Sequence, residues 1–190
     1  MPSHTQRARP ERLVVGITGR IGSGKTSVGE YLKTTHGFQY VRYSRVLSEW
    51  LAKDPESKLH LQEIGWEVMA GGMQSELNRR LIAQIMPDVD VAVDGLRHRI
   101  DNVSLRNCYL SSFYLLYIDS PLNTRWEHLE GHSRYKTLAS FEAADSHPVE
   151  QQIESLRDSA ASVIGNNGSL QDLYAVVDDA IRYFRKVNDK

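Results

Sequence analysis

The residues with the most chemistry in them are Gly19-Arg20-Ile21-Gly22-Ser23-Gly24-Lys25-Thr26, a Gly-x-x-x-x-Gly-Lys-Thr string. Its glycines let backbone amides turn inward on an anion with no Cβ in the way, and a following helix points its positive end at the same place. Lys25 is a flexible point charge able to reach the β- and γ-phosphates of a nucleoside triphosphate. The Thr26 hydroxyl is placed to ligate Mg²⁺, and Ser27 closes the nucleotide-binding stretch. Ser27 also excludes a dinucleotide fold, because Gly-x-Gly-x-x-Gly needs glycine at that position. The plain alternative is a glycine-rich turn, but this string lies between an apolar strand pattern and a helical one, the context a phosphate loop requires.

A second element is Val91-Ala92-Val93-Asp94-Gly95-Leu96-Arg97. A carboxylate ending a buried strand can lie beside a phosphate loop and hold Mg²⁺ through water. By itself such an aspartate is more often a turn former; the loop upstream makes Asp94 a metal-site candidate. The planar guanidinium of Arg97 could clamp the phosphate of an acceptor.

These residues need a scaffold that brings strand ends together. Leu13–Thr18 is a continuously apolar run, as expected of a strand buried on both faces, and a helix is expected from about Lys25 to Thr34. Phe38–Val41 reads as a second strand, followed by a helix with Ser44 as its N-cap. A long helical stretch runs from about Lys58 to Met86, broken near Gly71-Gly72. Asp90–Asp94 and Phe113–Asp119 are further strands, and a helix follows Pro121. Residues 131–148 are polar and weakly patterned and read as a mobile lid. Ala161–Ile164 is a last strand, then an Asn166-Asn167-Gly168 turn and a closing helix from Leu170 to Phe184. In that helix Tyr174, Val177, Ile181 and Phe184 should face the sheet. The alternation implies an α/β fold: three α/β/α layers around a five-stranded parallel sheet. Residues 1–12 read as a flexible tail and 13–190 as one domain.

Composition bounds the class. The chain has 190 residues, 41% hydrophobic and 25% charged, which suits one packed domain. Its formal net charge of -1 argues against nucleic acid as a partner. No apolar run reaches membrane-span length, so no membrane partner is expected. A lone cysteine, Cys108, excludes an internal disulfide and a thiolate zinc site. With no signal-peptide pattern at the N-terminus, a cytoplasmic location is expected. Oligomeric state is left open.

The string GRIGSGKT after a strand, the acidic-Gly-x-Arg element and the late VIGNNGSLQDLY together resemble the nucleoside and nucleotide kinases of the phosphate-loop superfamily. The likeness runs from about Leu13 to the last helix and is greatest to deoxynucleoside monophosphate kinases and dephospho-CoA-kinase-like proteins. His60-Leu61-Gln62-Glu63-Ile64-Gly65 is similar to the Leu-Gln-x-x-Gly stretch of the deoxynucleotide kinases, and Asp94-Gly95-Leu96-Arg97 to their acceptor element. The resemblance implies ATP on residues 19–27, with Asn167 in the turn that receives adenine. It implies Mg²⁺ on Thr26 and Asp94, and a small phosphorylated acceptor facing Ser44, Arg45 and Arg97. It also implies a lid arginine over the transferring phosphoryl group, Arg134 first and Arg125 next, working beside Lys25 and Asp94.

Two segments depart from the dephospho-CoA kinases. Arg42-Tyr43-Ser44 stands where they carry an Asp-Ala-Asp-like segment, and Gly95-Leu96-Arg97 where they carry a Pro-Leu-Leu-like run. A (deoxy)nucleoside monophosphate acceptor is therefore expected ahead of dephospho-CoA. A nucleotide-binding switch with slow hydrolysis is the alternative of another class, but the Asn166-Asn167 turn lacks the Asn-Lys-x-Asp signature of GTPases. His128 and His132 share a helical spacing without further ligands, so a metal site there is not expected. Cys108, Trp50 and Trp66 are expected to pack, although the tryptophans could also wall an acceptor base.

Overall fold

The computed structural model describes residues 12–51, 58–129 and 135–188. Five strands form one wholly parallel sheet in the order β2-β3-β1-β4-β5. They are β1 (Val14–Thr18), β2 (Gln39–Arg42), β3 (Val91–Asp94), β4 (Phe113–Asp119) and β5 (Ser162–Gly165). Central β1 carries the phosphate-loop string off its carboxyl end. In register, Ile17 pairs with Asp94 and Asp94 with Arg42, so three strand ends meet beside the loop.

Alternation along the strands divides the core. Val15 and Ile17, with Leu116 and Ile118, pack against α1 (Lys25–His36) and α9 (Leu170–Asn188). Val14, Val91, Val93 and Leu115 face α2 (Tyr43–Leu51), α3 (Lys58–Ala70), α4 (Gln74–Ala83) and α5 (Arg99–Tyr109). The α1–α9 seam is reinforced by Tyr31, stacked on Tyr174 with centroids 4.0 Å apart and donating its hydroxyl to Asp178. Leu173, Val177, Ile181 and Phe184 are buried, so the sheet-facing stripe takes Leu173 in place of Tyr174.

Three local expectations are corrected. Ser44 is not an N-cap: α2 begins at Tyr43, directly after β2, and Ser44 lies inside its first turn. Residues 135–148 of the expected lid, read as weakly patterned, carry one helix and the start of another. After α6 (Leu122–Glu127), α7 (Leu138–Asp145) starts from a Thr137/Ser140 capping box, and α8 (Pro148–Glu154) from a His147 cap with proline at its start. Phe141, Asp145 and Glu150 are buried there, and a small apolar cluster of Ile21, Tyr135, Phe141 and Ala144 seats α7 on the phosphate loop. Cys108 is exposed, not packed, on the outer face of α5. No helix among the described residues is long and apolar enough to cross a membrane.

Candidate active site

The phosphate loop has the backbone its glycines permit. Gly19 and Gly24 adopt φ of +143° and +101°, a region that penalises any side chain. Space forbids one as well. A Cβ on Gly19 would lie 2.3 Å from Ile118 O, and one on Gly24 2.6 Å from Asn166 Nδ2. No side chain caps the start of α1, so its first amides are left to an anion.

Beneath the loop stand the groups named for chemistry. Lys25 Nζ donates to Arg20 O at 2.8 Å. Desolvation pulls its pKa down to about 7, opposed by Asp94 and assisted by Arg97 and Arg125. An incoming polyphosphate would restore the full ammonium charge. Thr26 Oγ1 lies 3.5 Å from Asp94 Oδ2, which also accepts the Tyr40 hydroxyl at 2.6 Å and lies 3.8 Å from Arg42 Nε. Asp94 is 4% exposed, and its Oδ1 is buried without a hydrogen-bond partner among the described residues. A hydroxyl and an unsatisfied carboxylate oxygen at one strand end are hard oxygen donors, a set that fits Mg²⁺ and its water shell. Burial and Asp94 both push the Tyr40 phenol upward, so it remains a proton donor.

The loop is gripped from behind by residues distant in sequence. Asn166 Nδ2 donates to Ser23 O at 2.9 Å. Arg125, 4% exposed, makes a two-pronged pair with Asp145 at 2.6 and 2.9 Å and also donates to Ile21 O and Ser120 O. Arg20 reaches the same Asp145 at 2.9 Å. Glu150, fully buried, accepts the Ile21 amide at 3.2 Å and pairs with Arg97. The backbone of Arg97 is fixed in turn by Asp101, which accepts its amide at 3.0 Å and also takes bonds from Gln74 and Asn78.

Lys25, Thr26, Asp94 and Arg97 thus converge at the carboxyl edge of the sheet, with Gly19 to Ser27 around them. Other candidates lie elsewhere. Arg125 is committed to Asp145, Ile21 O and Ser120 O, which makes it a buttress of the loop. Arg45 extends into solvent and pairs with Glu49 at 2.7 Å on the outer face of α2. Asn167 is exposed at the rim, while its neighbour Asn166 is buried against the loop. Arg134 and His132 fall outside the described residues. His128 bonds Gly22 O at 2.9 Å, and no cluster of metal-ligating groups occurs among the described residues. The Arg80 guanidinium lies over Trp50, 4.8 Å from the ring centroid, and Trp66 meets His147 edge-on.

Residues not anticipated are Tyr40, Arg42, Asp145, Glu150 and Asn166. Arg42 and Tyr40 had one legible signal, their place in a strand that runs into the same sheet edge as Asp94, with which Arg42 is in register. The buried carboxylates had none, since they sit in a stretch without periodicity.

No protein-family model matches the chain. A dephospho-CoA kinase of Staphylococcus epidermidis is 32% identical over 115 residues, which is 57% of this chain and 56% of that protein. The match therefore spans just over half the length of this relative. Among solved structures, a shikimate kinase from Bacteroides thetaiotaomicron superposes with a TM-score of 0.60 at 13% identity, covering 90% of this chain and 98% of that one. A gluconokinase from Sinorhizobium meliloti gives 0.59 at 15% identity and 96% of both chains. The matched proteins are small-molecule kinases, and the fold of this chain is that of the phosphate-loop kinases.

Proposed function

We propose that the protein is an ATP-dependent phosphotransferase that moves the γ-phosphoryl group to a small phosphorylated acceptor, a (deoxy)nucleoside monophosphate. The observation that carries this reading is the convergence of Lys25, Thr26, Asp94 and Arg97 at one sheet edge. The loop amides and Lys25 bind the β- and γ-phosphates. Mg²⁺ would be held at Thr26 and Asp94, where it neutralises phosphate charge. Arg97, aided by Arg42 across the strand ends, receives the acceptor phosphate.

An oxygen of that phosphate attacks the γ-phosphorus as the bond to the β–γ bridging oxygen breaks, and ADP leaves with the bonding pair. An anionic acceptor oxygen needs no base, so positioning and positive charge supply the rate. Exclusion of water protects ATP from hydrolysis, a task for the α7–α8 segment already seated on the loop and for Arg134, the lid arginine expected from the resemblance.

Dephospho-CoA is a second acceptor reading, favoured by the Staphylococcus relative. It would require a base for a hydroxyl. Glu150 is engaged by Ile21 and Arg97, which leaves Asp94 Oδ1 as the candidate base, the same oxygen that the monophosphate reading gives to Mg²⁺.

The test is ADP release from Mg·ATP against a panel of ribo- and deoxynucleoside monophosphates and dephospho-CoA, with Asp94→Asn as control. Stimulation by one monophosphate far above the acceptor-free rate supports the reading. Stimulation by dephospho-CoA alone selects the second. A flat panel with genuine acceptor-free hydrolysis replaces both with a nucleotide switch.

A further inference from the structure

The site as described gives no reason for Gly29. It lies in the middle of α1, on the buried side, where alanine is the better helix former by about 1 kcal/mol. Its φ is ordinary, so backbone conformation does not demand glycine. Space does. A Cβ at Gly29 would lie 2.2 Å from Tyr40 Cε2 and 2.8 Å from its hydroxyl oxygen. The missing side chain is a notch through which the ring from β2 passes close over α1, and along that path its hydroxyl reaches Asp94 Oδ2 at 2.6 Å.

A carboxylate has two oxygens, and here their fates differ. Oδ2 is held by Tyr40, with Thr26 and Arg42 at longer range. Oδ1 is buried and has no hydrogen-bond partner among the described residues. An unsatisfied buried carboxylate oxygen is costly, and it persists here beside a hydroxyl suited to a divalent cation. Partners of that kind fix ligand orientation around metals.

We infer that Tyr40 is a positioning residue for Asp94. Its hydroxyl pins one carboxylate oxygen so that the other is presented to Mg²⁺ or to its bound water, and Gly29 is the notch that admits the ring. The inference rests on the nucleotide-site reading above and extends it to two residues outside the loop motif.

The experiment measures ADP binding by calorimetry with Mg²⁺ and with EDTA, and takes the ratio of the two dissociation constants as the gain due to metal. Tyr40→Phe should lower that gain about tenfold while leaving metal-free ADP affinity unchanged. Gly29→Ala keeps the hydroxyl but displaces the ring, and should produce the same loss. The double variant should lose no more than either single one, because both act through one contact.

An unchanged metal gain in Tyr40→Phe overturns the inference while Mg·ADP binding by the parent protein leaves the nucleotide site standing. A Gly29→Ala loss that is equal with and without metal also overturns it, by showing the notch to serve packing alone. If Gly29→Ala does not fold by thermal melt, Tyr40→Phe alone decides. Failure of the parent protein to bind Mg·ADP at all removes both this inference and the reading beneath it.

Discussion

In the proposed reading, the donor and acceptor halves of the site are built by different means. On the donor side one contiguous string supplies the chemistry, and its shape is imposed by backbone: glycines at positive φ, an uncapped helix start and carbonyls gripped by Asn166 and Arg125. On the acceptor side nothing is contiguous. Arg42 comes from a strand end, Arg97 from the loop after β3, and the carboxylate that steadies Arg97 from α8. A phosphate cradle common to every triphosphate can be written as a motif, whereas a pocket for one acceptor must be assembled from separate side chains.

If that contrast holds, the largest effect should come from the donor string. Lys25→Ala should cut ATP turnover by about a thousandfold or more with the melting temperature retained. Unfolding of the variant would leave the loss unconnected to catalysis. Next comes the buttress. Asp145→Ala leaves the buried Arg125 guanidinium unpaired and should cost about 3–5 kcal/mol in a urea unfolding series. A cost below about 1 kcal/mol would mean that water or a neighbour takes over the charge.

On the acceptor side, Arg97→Ala should raise the acceptor KM by roughly ten- to a hundredfold with the KM for ATP little changed. A weakened ATP affinity with normal acceptor kinetics would move Arg97 to the donor half.

Proton linkage offers a milder probe. Lys25 titrates near 7 in the free protein, and bound phosphates raise that value. The complex therefore holds more protons than the free site above pH 7, and nucleotide affinity should fall as pH rises. Calorimetry at pH ~8 in buffers of different ionisation enthalpy should register uptake of up to about one proton. No uptake would show that the ammonium is already fully charged in the free site. The smallest effect belongs to Arg45→Ala, which removes only an exposed i,i+4 pair and should shift stability by under about 0.5 kcal/mol without altering acceptor KM. A raised KM there would restore Arg45 to the acceptor pocket.

What could be read in advance follows the same division. The sheet, its all-parallel character and the loop–strand–Asp94 arrangement were legible because apolar runs and glycine spacing encode them locally. α7 was not, because its buried face is short and mixes Phe141 with Asp145, so no 3.6-residue period emerges. Arg125 and Asn166 show the limit from the other side. By resemblance the arginine after β4 was expected over the phosphoryl group and Asn167 of the late turn at adenine, whereas Arg125 and the neighbouring Asn166 bond the loop backbone. Whether such a side chain faces the ligand or the loop's own carbonyls depends on contacts across more than 100 residues, as in the Arg125 bond to Ile21 O and the Asn166 bond to Ser23 O. Cys108 failed for a simpler reason, since helical periodicity alone does not fix which side of α5 meets the sheet.

The grip on the phosphate loop also has a consequence in time. The loop string lies near the start of the chain, but the groups that shape it are Arg125, Asp145, Glu150 and Asn166. A ribosome therefore releases the motif long before it releases the site. Until the strand that precedes Asn166 has emerged and joined the sheet, the nascent chain carries a recognisable nucleotide signature with no rigid cradle behind it. A ligand of the loop, on the proposed reading a nucleotide, would therefore stabilise the fold only after those groups have been made.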